Sequence, residues 1–242
     1  QNALSVYYIN EDLLKELKPD IILTQSQCEV CAVSEKDVKS VVKNITGINP
    51  DIISVEPNSV KDIFKDIKII AEALNVVDKG ADLIDFMKNR IRTLKKSYDV
   101  KSELTVAAIE WIDPLMAAGN WVPELIEMAG GINLFGEAGK HSPWMEYKDL
   151  IEKDPDNIII MPCGYNIQKS IIEIDSLIKQ KGWKEINAVQ NDKVYITDGN
   201  QYFNRPGPRI IESLEILIEI FHNDKTDFKH IDSGWINFDS TK

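Results

Sequence analysis

The 242-residue sequence predicts an α/β protein with parallel strands, divided by a long helix into two lobes. Short apolar runs alternate with helical periodicity along most of the chain, as in parallel sheets covered by helices. Near the middle, a helical pattern of about 20 residues stands without a neighbouring strand, which predicts a stiff strut of about 30 Å. A hydrophobic fraction of 43% is typical of a globular chain with a real core.

The first half begins with a predicted helix over 11–17, which ends before Pro19. Strands are predicted over 20–24 and 52–55, with a helix over 33–44 between them. Asn58 or Ser59 then caps a long helix. Its apolar residues recur at helical spacing, and they are Ile63, Ile67, Ile70 and Leu74.

After a predicted break at 78–80 the helical pattern resumes and forms the strut. Three more strands are predicted over 105–109, 157–161 and 193–197. Helices between and after them are predicted over 121–129, 144–153, 167–181 and 208–221. The resulting divisions are an N-terminal lobe (1–77), a bridging helix (78–98), a C-terminal lobe (99–222) and a tail (223–242). We expect the polar tail, with Trp235 as its one large anchor, to pack loosely.

The charge balance excludes some functions. The chain has 39 acidic and 28 basic residues, a net charge of −11. Such a surface repels phosphate backbones and anionic lipids, so binding of nucleic acid or a polybasic membrane contact is not expected. It suits docking onto a basic partner. No run approaches the roughly 18 apolar residues of a membrane helix, and residues 1–10 show no secretory leader.

The three cysteines are Cys28, Cys31 and Cys163. Cys28 and Cys31 form one CxxC pair, without the second pair or spaced histidines of a zinc site. The pair is compatible with a local disulfide, with thiols lining a pocket, or with a redox or metal-trafficking role.

Ligands of open parallel sheets bind beyond the carboxyl ends of the strands. Four loops occupy that position here, at 25–31, 110–114, 162–165 and 198–205. They carry four aromatic residues, Trp111, Tyr165, Tyr202 and Phe203, which predict a site for a broad, flat ligand. No GxSxG, HExxH, Walker or GxGxxG motif is present, so we expect no enzymatic activity.

Two adjoining segments, 17–25 (LKPDIILTQ) and 28–34 (CEVCAVS), resemble the helical-backbone, class III substrate-binding proteins of ABC importers, most closely the cobalamin-binding branch. Further matching segments follow in the family's order over residues 6–221, and they are 118–121 (AGNW), 129–135 (AGGINLF), 154–159 (DPDNII) and 205–210 (RPGPRI). The resemblance implies two Rossmann-like lobes on a bridging helix, with a small closure on binding.

The resemblance also implies a ligand site between the lobes and a cobalamin-like corrinoid as cargo, with haem or an iron siderophore as alternatives. The four aromatic side chains are then expected to contact the macrocycle, and His141 to meet one axial face of the metal. Gln25, Asp113, Asn204 and Arg205 are expected to orient the ligand's amides. Three further residues complete the expected ligand-binding set, namely Cys28, Glu29 and Trp144.

The implied partner is an ABC permease, which meets one acidic residue on each lobe. These positions correspond to Glu35 and to Glu146 or Asp149. The protein is then a monomer outside the cytoplasm, where an oxidising compartment permits a Cys28–Cys31 disulfide. The family has a further strand and helix before the position of Val6, so we expect the N-terminal lobe of this chain to lack the first strands.

Overall fold

A computed structural model describes residues 9–26, 33, 35–45, 47, 49–98, 103–222 and 226–238. The chain divides into two structural units, residues 1–84 and 85–242. The elements that begin in the first unit are α1 (Glu11–Leu17), β1 (Ile21–Gln25), α2 (Glu35–Asn44), β2 (Asp51–Val55), α3 (Val60–Ala73) and α4 (Val77–Ser97).

The strands of the first unit form a parallel pair. Ile21 lies opposite Asp51 and Gln25 lies opposite Val55. Beyond the pair, the Ser26 N–H donates to the Val55 carbonyl at 3.2 Å. Helix α2 packs on the strands and buries Val38. The carboxyl ends of both strands therefore meet at one edge, where Gln25 is the last residue of β1.

Helix α3 begins as predicted, because Ser59 caps it. The Ser59 hydroxyl accepts from the Asp62 N–H at 3.2 Å and donates to the Asp62 carboxylate at 2.7 Å. The predicted break at 78–80 is wrong: the chain turns at Asn75, which has a left-handed φ of 55°. Gly80 lies inside α4. A larger residue would not fit at this position, because a Cβ there would stand 2.4 Å from the Ala71 Cβ. The glycine permits a close crossing of α3 and α4.

The second unit carries the larger sheet. Its further elements are β3 (Thr105–Trp111), β4 (Met116–Ala117), α5 (Val122–Met128), β5 (Ile132–Asn133), α6 (Tyr147–Lys153), β6 (Asn157–Ile160), α7 (Ile167–Glu173), α8 (Asp175–Ile178), α9 (Asn187–Gln190), β7 (Val194–Thr197), α10 (Ile210–His222) and β8 (Trp235–Asn237), with a 3₁₀ turn at Trp183–Glu185.

The strand order in this sheet is β4-β3-β6-β7-β8, and β5 also pairs with β3. Strands β3, β5, β6 and β7 run parallel, whereas β4 and β8 are antiparallel to their neighbours. All four residues of β6 are buried, as expected for a central parallel strand. Strands β3, β6 and β7 therefore release their carboxyl-end loops at the same edge, which we call the carboxyl edge.

Two expectations for the second unit are corrected. The helix predicted over 167–181 is two helices, because the Leu177 N–H donates to the Ile174 carbonyl three residues back and tightens the turn. The tail is not loosely packed, since β8 pairs with β7 and Trp235 is 3% exposed. The predicted divisions into lobes, bridging helix and tail remain predictions.

Candidate functional site

The aromatic residues Trp111 and Tyr165 lie together at the carboxyl edge. Trp111 is the last residue of β3, and Tyr165 lies in the loop after β6. Their ring centroids are 5.1 Å apart at 58° between planes, and both side chains are partly exposed. The Lys169 ammonium stands 3.7 Å from the Tyr165 ring centroid. Such a pair presents two inclined apolar ring surfaces, with a cation over one face of Tyr165.

A carboxylate lies next to this pair. Glu110 precedes Trp111 on β3, and its Oε2 accepts a hydrogen bond of 2.7 Å from the Ser142 hydroxyl. The Ser142 oxygen in turn accepts from the Gly119 N–H at 3.1 Å. Burial raises the pKa of Glu110, although the bonds from Ser142 and Gly119 and the nearby His141 oppose that shift.

Backbones cross closely where the loops after β6 and β7 meet. A Cβ on Gly199 would stand 2.2 Å from the Pro162 carbonyl oxygen, so only glycine fits there. The Asn204 amide donates to the Met161 and Gly199 carbonyls at 2.9 and 3.0 Å. These contacts hold the two loops as one rigid edge.

Arg205 is held beside this crossing by a single residue. Its guanidinium donates to the Asn200 backbone carbonyl and, at 2.9 Å, to the Asn200 side-chain oxygen. The Asn200 N–H donates to the Tyr165 carbonyl at 3.1 Å, which ties this arrangement to the aromatic pair. Arg205 is exposed, so its guanidinium is a positioned cation of the edge, near Cys163.

Tyr202 and Phe203 lie inside the unit rather than at its surface. Phe203 is 0% exposed and Tyr202 is 7% exposed. The Phe203 carbonyl accepts from the Trp121 indole at 3.0 Å, and the Arg209 guanidinium lies 4.7 Å from the Tyr202 ring centroid. Their rings pack against the protein, so in this structure they support the edge from within.

His141 and Asp113 are both exposed at loops of this unit. The His141 Nδ1 lies 3.0 Å from the Ser142 carbonyl. A carbonyl only accepts, so Nδ1 donates in this contact, which leaves Nε2 as the ring nitrogen that can offer a lone pair to a metal. The Asp113 carbonyl accepts from the Trp111 indole at 3.0 Å and orients that ring.

Trp144 and Asp149, to which different roles are predicted, line the same groove. Trp144 is 66% exposed. Asp149 accepts at 3.1 Å from the N–H of Glu146, whose carboxylate pairs with Lys148. The groove measures about 250 Å³, and its lining residues are Phe135, Pro143, Trp144, Met145, Asp149, Glu152 and Lys153.

The first unit contributes fewer described candidates. Gln25 ends β1 and is partly exposed, and Glu35 begins α2, where it pairs with Lys39. Cys28, Glu29 and Cys31 lie outside the described residues. Their predicted roles, including the disulfide, stay predictions.

Metal and thiol chemistry find little support in the described ranges. These ranges contain no group of three or more His, Cys, Asp or Glu side chains arranged to hold a metal ion. Burial raises the pKa of the Cys163 thiol, and the Glu110 carboxylate adds to that shift. A raised pKa disfavours the reactive thiolate. No helix in the same ranges is long and apolar enough to span a bilayer.

Three residues of the carboxyl edge were missed as candidates, namely Glu110, Ser142 and Asn200. Position alone signals Glu110 and Asn200, since each belongs to a segment at the end of a strand. Ser142 has no such signal, because its bond to Glu110 joins positions 32 residues apart.

The fold agrees with comparisons to known proteins. The family described as periplasmic binding protein matches residues 4–201. The chain is 26% identical over 222 residues to the uncharacterized ABC transporter substrate-binding lipoprotein YvrC of Bacillus subtilis, covering 89% of this chain and 66% of YvrC. It therefore spans about two thirds of the length of that relative.

Solved structures show the same fold at low identity. A possible iron-binding, periplasmic solute-binding protein of Staphylococcus epidermidis superposes with a TM-score of 0.73 at 22% identity, over 89% of this chain and 81% of that one. The vitamin B12-binding protein BtuF of Vibrio cholerae gives 0.62 at 19%, over 91% and 80%. The haem-binding protein RhuT of Roseiflexus gives 0.69 at 19%, over 90% and 81%.

These matches define the class of protein as an α/β solute-binding protein with the class III fold, as the sequence resemblance implied. The chain belongs to the periplasmic binding protein family.

Proposed function

We propose that this chain is the substrate-binding component of an ABC importer and that its cargo is a cobalamin-like corrinoid. Membership of the periplasmic binding protein family supports the transport role. The protein acts without catalysis, by binding cargo and delivering it to the permease. Its place is outside the cytoplasm, as the lipoprotein description of YvrC suggests.

The observation that carries the cargo proposal is the Trp111–Tyr165 pair at the carboxyl edge. Two rings on neighbouring strand ends offer apolar surface for a macrocycle to contact. Asp113 and Arg205, both exposed, and Asn204 lie on the loops of the same unit and carry groups suited to amide side chains of the cargo. Tyr202 and Phe203 are omitted from the proposed contacts because they are buried.

The His141 Nε2 is the proposed axial contact to the metal of the cargo, because the Nδ1 contact to Ser142 leaves the lone pair there. Gln25, Cys28 and Glu29 of the first unit stay proposed ligand-binding residues. Trp144 lies in the groove beside Asp149, so we assign it with Glu146 and Asp149 to permease docking, together with Glu35 of the first unit.

Haem or a ferric siderophore is the alternative cargo, in keeping with the haem-binding and iron-binding descriptions of two solved relatives. The charges of the edge do not exclude an anionic cargo, since Arg205 and Lys169 are cations and Glu110 adds negative charge only when ionised. The raised pKa of Cys163 disfavours a redox role for that thiol. A redox or metal-trafficking role of Cys28 and Cys31 stays an alternative.

Calorimetric titration tests the proposal. Cyanocobalamin, haemin and a ferric hydroxamate are each titrated into the full chain, and saturable one-to-one binding of cyanocobalamin is the expected result. Trp111→Ala weakens that binding about tenfold, because a lost aromatic contact is worth about 1.5 kcal/mol. Trp144→Ala is the matched control and leaves the affinity unchanged.

Binding of haemin or hydroxamate alone would replace the corrinoid with that cargo. Equal losses in the Trp111 and Trp144 variants would move the site away from the aromatic pair. The same titration with His141→Ala examines the axial contact, which is abandoned if a folded variant binds with unchanged affinity.

A further inference from the structure

Glu110 is an acidic side chain at the carboxyl edge that no sequence motif singles out. It immediately precedes Trp111, whose ring forms the aromatic pair. Its Oε2 accepts from the Ser142 hydroxyl at 2.7 Å. Burial desolvates the carboxylate and raises its pKa, yet the residue as a whole keeps some exposed surface.

The groups around Glu110 come from three other loops. His141 and Ser142 lie in the loop before α6, and the Cys163 N–H donates to the Glu110 backbone carbonyl at 3.2 Å in the loop after β6. Arg205, after β7, lies near Cys163 and is held by Asn200. In the part of the chain that the structure describes, no ion pair joins Glu110 to a basic side chain.

A desolvated carboxylate without a cation has unused acceptor capacity. An ionised carboxylate has about four lone-pair sites, and the bonds from the Ser142 hydroxyl and the Gly119 N–H occupy two of them. Burial raises the pKa of Glu110, which brings its protonation closer to physiological pH. A donor supplied by a ligand would fill the remaining capacity and favour the ionised form.

We propose that Glu110 is a cargo-binding residue that accepts an amide N–H of the cargo in its ionised form, which makes cargo capture depend on proton concentration. This inference rests on the proposed function, since a corrinoid carries several amide side chains at its rim. Capture is strongest above the pKa of Glu110. Affinity falls as pH falls through that pKa, by up to tenfold per pH unit once the carboxyl is protonated.

The test is titration of the full chain with cyanocobalamin between pH 5 and pH 8. The dissociation constant of the unmodified protein rises as pH falls. Glu110→Gln keeps an oxygen for Ser142 but has no charge, so its dissociation constant is roughly tenfold larger at pH 8 and changes little with pH. Histidines also titrate in this range, and a protonated His141 would lose its proposed axial contact. Glu110→Gln and its parent are therefore compared in a His141→Gln background, which is expected to retain the slope due to Glu110.

A second variant keeps the test decisive if Glu110→Gln unfolds. Ser142→Ala removes the hydroxyl that favours the ionised carboxylate, so the loss of affinity shifts to higher pH. A slope that persists in Glu110→Gln in the His141→Gln background, or that disappears in His141→Gln, overturns the inference. Unchanged affinity across the pH range in the unmodified protein overturns it as well.

The two proposals fail in different ways. Binding of cyanocobalamin with a flat pH profile removes the role of Glu110 and leaves the importer function and its cargo intact. Absence of cyanocobalamin binding at every pH by a folded protein rejects the corrinoid cargo, and the amide contact is rejected with it.

Discussion

Gly199 shows how much the carboxyl edge depends on single residues. It lies where the loops after β6 and β7 cross, and an added Cβ would meet the Pro162 oxygen at 2.2 Å and Met161 backbone atoms at 2.8 Å. Backbone atoms cannot swing aside as a flexible side chain does. The crossing has to open before any larger residue fits.

Gly199→Ala is therefore expected to destabilise the protein by roughly 1–3 kcal/mol, the usual cost of overpacking. Urea unfolding measures the change in the free energy of unfolding. Gly207→Ala is the matched control, because a Cβ there meets nothing within 4 Å. Equal stability of the two variants would show that the crossing is looser than described.

Residue-level prediction from the sequence succeeded where position along a strand was enough. Trp111 and Tyr165 lie together because parallel strand ends share an edge. It failed where the environment depends on distant partners. Nothing local distinguishes Phe203, which is buried and whose carbonyl accepts from the Trp121 indole, from Tyr165, which reaches the surface.

At the scale of elements, the C-terminal segment 226–238 is attached to α10 by two carboxylates. Glu219 accepts from the Trp235 indole at 2.8 Å and from the His230 N–H at 3.1 Å. Glu215 lies 3.0 Å from the His230 Nε2 and accepts from Arg90 of α4 at 2.6 Å. Three elements therefore meet at one pair of glutamates.

The stability of this attachment is expected to depend on pH. The pKa of His230 is raised above 6.5. The bond to Glu215, together with the nearby charges of Glu219, Glu215 and Glu212, outweighs the opposing effect of burial. A raised folded-state pKa stabilises the native protein below pH 6.5, and that contribution is lost as pH rises through the folded-state pKa. Glu215 remains ionised here, because the bonds from His230 and Arg90 outweigh its burial and lower its pKa.

Thermal unfolding of the native protein and of His230→Gln measures this effect. The difference in their stability is expected to be largest near pH 6 and to shrink as pH rises. Hydrogen exchange in 226–238 is expected to accelerate over the same range. A difference that is constant with pH contradicts a role for the charge of His230.

Helices and strands were predicted well where the pattern of apolar residues extends over several residues. The five longer strands and most helices fall within a few residues of their predicted bounds. The two-residue strands β4 and β5 are too short to show a period, and β8 lies in a polar segment. A helix break was predicted at Gly80 because the local sequence does not show that this glycine packs against Ala71 of another helix.

At the scale of the whole molecule, the two units differ in how much core each contains. The second unit encloses a cluster of buried residues from Ala107 to Ile196, which includes Ile158, Ile160 and Trp183. In the first unit, the described strands β1 and β2 have no fully buried residue. The second unit therefore has the greater capacity to fold alone.

A fragment of residues 77–242, which keeps α4 whole, is expected to unfold cooperatively with native-like helix and strand content. Circular dichroism and urea denaturation measure both properties. A fragment of residues 1–76 serves as the comparison and is expected to lack a cooperative transition. The reverse result would mean that the larger core needs the first unit to form.

The three residues of β8 have a consequence for solubility. Strand β7 is buried along its whole length, and β8 covers its outer side through residues 195–197. A chain ending at 222 would present the bare hydrogen-bonding groups of β7 to other molecules, which is a template for aggregation. The C-terminal segment adds a very short strand that ends in an exposed asparagine. The edge strand of the sheet is then β8 rather than β7, and edge-to-edge pairing with a second molecule is disfavoured.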